Sequence, residues 1–331
     1  MTRLTRRLFL RSSATAAMLA APALVRPAHA RATTITVASL LGEDKPETKI
    51  WRQIAETVEA RLPGRFRFNV VANGALGGEK EVAEGARLGS VQASLATLSS
   101  LAGWVPEAQI LDLPFLYRDA DHVRRVVEGP VGEDLKLRLQ AQNFVVGGFI
   151  DYGARHLLTK EPVTDPAQMQ GMKMRVIQSP LHTRLWNAYG AIPVGIPITE
   201  TYNALSTGVA DAMDLTKSAY AGFRLYEVVP YLSETAHIRA SGVVYFAAGF
   251  WNGLPETERE VLREASALGA DAFNRLIVED EAASVRQAVA GGGVVVEVDA
   301  REAWERGAET VWRDLADVVG GWDRIEAVQR A

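Results

Sequence analysis

Apolar positions along the chain follow two rhythms, one of period two and one close to 3.6. Residues 33–40 (TTITVASL) read as a strand, and residues 47–62 place Ile50, Ile54, Val58 and Leu62 at helical spacing. Pro63 and Gly64 close that helix. Residues 66–71 are a second strand, 74–78 a turn, 79–88 a helix ending at Gly89, and 92–98 a third strand. This βαβαβ order predicts a mainly parallel sheet covered by helices. Residues 143–150 and 174–177 continue the strands, and 238–250 form a long apolar strand or a pair of strands. Residues 255–290 then keep a helical pattern almost free of breakers, opened by Pro255 and stopped at Gly291-Gly292-Gly293. At about 1.5 Å per residue such a helix spans roughly 50 Å, more than one small domain needs. It is either a spine running across two domains or two helices with a kink near Gly269. Residues 294–298 are a last strand and 301–329 are helical.

The first thirty residues stand apart from this pattern. Arg6 and Arg7 precede Phe9, Leu10 and Arg11; an apolar stretch over 14–25 follows, then Ala28-His29-Ala30. Basic, apolar and small-residue segments in that order predict an export signal of the twin-arginine type, cleaved after about Ala30, and hence a periplasmic protein. The apolar run is too short and alanine-rich to cross a membrane well, so no membrane-spanning segment is expected. The signal holds five arginines (Arg3, Arg6, Arg7, Arg11, Arg26) and no acids, so its removal takes the formal charge from -4 to -9. That charge argues against nucleic acid or an anionic membrane surface as partner. About 300 mature residues correspond to two domains of ordinary size.

Chemistry of the catalytic kind is sparse. There are no cysteines, which excludes disulfides, thiolate metal sites and a cysteine nucleophile. Four histidines follow the signal (His122, His156, His182, His237), and none forms an HxxxH or HExxH pair. No GxSxG, phosphate loop or strand-to-helix GxGxxG is present. No cofactor or metal is therefore expected, and the chain reads as a binding protein and not an enzyme. A secreted α/β lyase or hydrolase acting on acids needs an acid–base pair, for which Asp214 and Tyr202 are the nearest candidates.

The stretch 171–220 is the most informative. Arg175 opens an apolar strand there, and a buried, unpaired guanidinium is costly. Either an internal acid or an anionic ligand must meet it. Around it stand NGALGGEKEVAEGAR (73–87) followed by LGSVQAS, QILDLPFLY (109–117), GARHLLT (153–159), GMKMRV (171–176) and YGAIPVGIPITETYNALSTGVADAMD (189–214). In this order the series resembles the periplasmic solute-binding proteins of TRAP transporters, the C4-dicarboxylate-binding (DctP-like) family, over essentially the whole mature chain. The resemblance implies an α/β, two-domain Venus-flytrap fold with a long helix spanning both domains. Residues 31–152 plus about 238–279 then form one domain, and 153–237 plus about 280–331 the other. It implies a monomer that captures an organic acid and delivers it to the transporter's large and small membrane subunits. A solute-binding protein of another transporter class, or a sensor presenting ligand to a receptor, fits the same fold.

The resemblance also implies a site. Arg175 matches the principal carboxylate-binding arginine, a role suited to its planar pair of donors. Arg155 matches a second arginine; it follows a strand expected to end near Tyr152, and either projects into the cleft or pairs with a nearby acid. Thr97 ends the third strand, where the family places a polar contact. Ser39, ending the first strand, and the loop 42–45 hold an equivalent place, since open α/β sheets bind ligands outside the carboxyl ends of their strands. Ile198 matches an apolar position packed on ligand, and Tyr202 lies one helical turn on, as a hydroxyl contact or a core aromatic. Asp211 and Asp214 end the next strand. The position after Asp214, often an asparagine in the family, is Leu215 here, followed by Thr216. That change replaces a polar contact by an apolar wall and argues against a sialic-acid-like polyol. Trp186 and Tyr189 read as core or rim. Two arginines favour a dicarboxylate or hydroxylated acid, Leu215 a partly apolar one, and the sequence names no single acid.

Overall fold

A computed structural model describes residues 32–331; the export signal expected over 1–30 lies outside the described residues. The chain opens with β1 (Thr33–Ala38), α1 (Pro46–Arg61), β2 (Phe66–Val71), α2 (Glu79–Leu88), β3 (Ala93–Thr97) and the short α3 (Leu98–Leu101). Helices α4 (Ala120–Val127) and α5 (Pro130–Ala141) lead into β4 (Phe144–Thr159). Then follow β5 (Lys173–Val176), α6 (Pro180–Ala188), β6 (Ile192–Gly195), α7 (Ile198–Ser206), β7 (Ala212–Thr216) and α8 (Lys217–Gly222). The chain closes with β8 (Tyr231–Ala247), α9 (Ala248–Asn252), α10 (Glu256–Ala290), β9 (Val294–Val296), α11 (Arg301–Val319) and α12 (Trp322–Arg330).

Among the described residues the strands form one sheet in the order β2-β1-β3-β8-β4-β7-β5-β6, with β9 beside β8. The expected mainly parallel sheet is only half right. The β1–β2, β1–β3, β5–β6 and β5–β7 pairs are parallel, but β3–β8, β8–β4 and β4–β7 are antiparallel. Two parallel α/β groups thus flank a central antiparallel pair, β4 and β8, whose length carries each of them from one group into the other. Neither length was legible. β4 passes through register shifts at Val146/Gly148, Asp151/Gly153 and Arg155/Leu157. Each shift breaks the period-two alternation, so the strand expected to stop at Ile150 or Tyr152 in fact runs on to Thr159. Arg155 accordingly lies within β4, not beyond its end. Asp214 likewise lies inside β7 and does not end it.

α10 is a single helix of 35 residues. Gly269 is no kink: a Cβ there would stand 2.6 Å from Ile54 on α1, so the glycine lets the two helices approach closely. α10 packs along α1, β4 and α8, touching both parallel groups. The C-terminal helical stretch splits instead at Gly320, which caps α11 at φ 103°. Trp186 and Tyr189 are core: both pack edge-to-face on the buried Trp304 of α11.

Candidate functional site

A cavity of about 50 Å³ lies where the carboxyl ends of β1, β3, β5 and β7 meet the middle of β4 and the flank of α10. This is the position open α/β sheets use for ligands. Of the residues nominated from sequence, Arg175, Arg155, Thr97, Ile198 and Leu215 line it.

Arg175 projects from β5, whose backbone is fixed by parallel pairing with β6 and β7. Only 2% of the residue is exposed. Its Nε donates to the Ile196 carbonyl at 2.9 Å, and its Nη1 is buried without a hydrogen-bond partner. Burial, aided by the nearby Arg155 charge, pushes its pKa down to about 10, so it remains a cation at neutral pH. An unpaired buried cation costs several kcal/mol.

Arg155 is different. Its Nε and Nη2 donate to Asp214 Oδ2 and to the Asp214 carbonyl, both at 2.6 Å. His237 Nε2 lies 3.1 Å from the same carboxylate oxygen, and His182 Nδ1 3.8 Å. Burial opposes ionisation of Asp214, but Arg155 and His237 outweigh it and hold the carboxyl well below its usual value. Burial pushes His182 down to about 3, so this imidazole is neutral. Arg155 is therefore a cavity-wall residue whose charge is already balanced.

Three nominated residues fall outside the cavity. Asp214 is fully buried behind Arg155. Ser39 is also buried; its hydroxyl donates to Glu47 Oε1 at 3.1 Å and sits 2.6 Å from Thr48 Oγ1. Tyr202 is 36% exposed and donates its hydroxyl to Glu227 on the surface, so it is neither a core aromatic nor a cavity group. The Asp214–Tyr202 acid–base pair of an acid-processing enzyme is thus not assembled. Lys45, in the loop after β1, also points away: its Nζ bonds Ser284 and pairs with Asp280 of α10. Asp280 also accepts from Ser218 of α8 at 2.5 Å.

Sequence reasoning missed two acids in the cavity wall. Glu47, in the first turn of α1, accepts from the Leu40 N–H at 2.6 Å. Glu79 opens α2 and accepts from the Thr97 N–H at 2.6 Å. Acids in a first helical turn are ordinary start signals, which masked both. The available clue was that each lies in the first turn of the helix that follows a strand, eight or nine residues past the strand's end. Tyr152, Thr216, Ser218, Phe223, Phe273 and Ile277 also line the wall; the last two come from α10 and nothing local marks them. Among the described residues no cluster of three or more acids or histidines could hold a metal ion, and no helix is long and apolar enough to cross a membrane.

Glu47 carries a pH signature. Burial, with help from the Glu79 charge, pushes it from 4.5 up to about 7. The folded state therefore holds a proton that the unfolded chain releases. The stabilisation is complete below about 4.5 and is lost as pH rises to about 7, about 3 kcal/mol in all. Glu47→Gln keeps the acceptor for Leu40 and removes the ionisation. Its melting temperature should decline less than that of the wild type across this window; parallel curves for the two proteins would refute the assignment.

Comparison with known proteins matches the chain over nearly its whole described length. The family model described as bacterial extracellular solute-binding protein, family 7 (DctP), matches residues 37–317. The C4-dicarboxylate-binding periplasmic protein DctP of Rhodobacter capsulatus is 29% identical over 316 residues, 93% of this chain and 94% of that protein. The structure of a TRAP periplasmic solute binding protein from Shewanella oneidensis, with bound succinate, superposes with a TM-score of 0.86 at 27% identity over 90% of this chain and 99% of that one. A TRAP periplasmic solute binding protein from Bradyrhizobium, in complex with galacturonate, matches with a TM-score of 0.86 at 28% identity over 90% and 100% of the two chains.

Proposed function

The chain belongs to the bacterial extracellular solute-binding proteins of family 7, and on that premise we propose that it captures an organic acid by docking the carboxylate on Arg175. It is the solute-binding component of a TRAP transporter, with the α/β fold of that class. The observation that carries the proposal is the buried Nη1 of Arg175, a donor without a partner on the wall of the cavity. A carboxylate converts that costly group into a charge-assisted pair, with each hydrogen bond contributing about 1.5–3 kcal/mol. Succinate and galacturonate, bound by the two relatives, both offer this group.

Arg155, Thr97, Ile198 and Leu215 form the walls around the ligand, while Asp214 and Ser39 hold wall residues from behind. Tyr202 takes no part. The protein performs no reaction; it is a monomer that closes on ligand and presents it to the large and small membrane subunits. Residues 31–152 with about 238–279 act as one domain and 153–237 with about 280–331 as the other. The reading is supported by β4 and β8, which run from one parallel group of the sheet into the other, and by α10, which packs on both. Export follows the twin-arginine route, with cleavage after about Ala30.

A thermal-shift screen against organic acids tests the proposal. Ligand binding to the native state alone stabilises by about 2.7 kcal/mol at a hundredfold excess over Kd. At least one acid should raise the melting temperature plainly. If no acid does so, the carboxylate reading fails.

A further inference from the structure

Resting on the carboxylate reading, we infer that the ligand is a monocarboxylate with an aliphatic body and a hydrogen-bond donor, hydroxyl or ammonium, on the carbon beside its carboxylate. The charge balance of the cavity comes first. Among the described residues only two cations line it, and Arg155 is committed to Asp214. Arg175 alone is free for an anion. Within this cavity a second carboxylate would meet no free cation, since Lys80 lines only the adjoining pocket, and would instead share a buried space with Glu47 and Glu79. Like charges so placed repel strongly where water is excluded. The two arginines, which favoured a dicarboxylate or a hydroxylated acid when read from sequence, therefore serve one ligand charge.

The acids supply the second feature. Glu47 and Glu79 are each fixed by one backbone N–H, from Leu40 and Thr97 respectively. They are rigid groups lining the same cavity as Arg175. The ionised form of a carboxylate only accepts hydrogen bonds, so these two, Glu47 above about pH 7, select a donor next to the docked carboxylate. Burial raises the pKa of both, and a donor that satisfies them restores the ionised form.

The third feature is the remaining wall. Leu40, Leu41, Ile177, Leu215, Phe223 and Phe273 make much of the lining apolar, leaving Thr97, Tyr152, Thr216 and Ser218 as its neutral polar side chains. Each hydroxyl stranded against the apolar groups costs about 1–3 kcal/mol. That lining favours a branched aliphatic body over a polyhydroxylated chain.

Isothermal titration of the protein tests this with four acids on one skeleton: valine, α-hydroxyisovalerate, α-ketoisovalerate and isovalerate. The same four forms on the leucine skeleton allow for size, and succinate and galacturonate complete the set. A donor-bearing form should bind about tenfold or more tighter than the keto and unsubstituted forms. Whether the amino or the hydroxy acid leads identifies the donor. Glu79→Gln should cut that preference about fivefold or more, since an amide can donate to a keto oxygen; Glu47→Gln, which keeps its backbone bond, should act in the same direction. Equal binding of donor and unsubstituted forms, or tightest binding by succinate or galacturonate, overturns the inference and leaves the carboxylate reading standing. No binding by any acid to protein that melts cooperatively overturns both.

Discussion

Arg175→Ala should abolish binding of organic acids while the unliganded protein melts close to the wild type. Removal of two charge-assisted hydrogen bonds costs about 3–6 kcal/mol of binding free energy, a loss of about a hundredfold to ten-thousandfold in affinity. Stability behaves otherwise. The substitution loses the bond from Nε to the Ile196 carbonyl and leaves a void beneath the cavity. It also removes a buried guanidinium whose Nη1 has no partner, a relief of comparable size. Arg175→Lys keeps a charge without the planar fork and should retain a small part of the affinity. Calorimetric titration paired with thermal melting distinguishes the roles. A variant that binds acids normally but melts far below the wild type would make Arg175 a structural residue.

Asp214→Ala should cost about 3–5 kcal/mol of folding free energy, because it leaves Arg155 as an uncompensated buried charge. The residue receives Nε and Nη2 of Arg155 at 2.6 Å and His237 at 3.1 Å, with none of its own surface exposed. Adding Arg155→Met to Asp214→Ala should recover part of the loss, since the stranded charge goes with it. Urea unfolding of the two variants measures both quantities. A loss below about 1 kcal/mol would show that water reaches Arg155. The pH dependence has a fixed sign: the carboxyl is held below its usual 3.8, so its contribution is present above that value. It is lost as the pH falls through the lower folded value.

The two arginines show how far sequence reasoning reaches. Arg175 in an apolar strand announces a buried cation, because strand burial follows from local composition. Whether that cation meets an internal acid is a different matter. Arg155 meets Asp214 from 59 positions away, across the β4–β7 ladder; among the described residues Arg175 pairs with no acid. The two residues look alike in sequence and differ only in their neighbours across the sheet. Tyr202 shows the converse error: one helical turn after Ile198 is close in sequence, yet α7 turns its hydroxyl to Glu227 and the solvent.

By itself the sequence determined elements with uninterrupted periodicity, β2, α1 and α2, the helical character of 255–290, and the family resemblance that rests on ordered motifs; that 255–290 is one unkinked helix was left to the structure. Those features depend on backbone geometry within a few residues, which recurs in the pattern of side chains. Only the tertiary structure decided that β4 and β8 are a continuous antiparallel centre, that Glu47 and Glu79 share the cavity with Arg175, and that Phe273 and Ile277 close it from α10. Bulges erase the alternation that would have revealed the long strands. The cavity wall is assembled from strand ends and helix starts that are remote in the chain, where which side chains meet is governed by crossings of the whole sheet and not by local period.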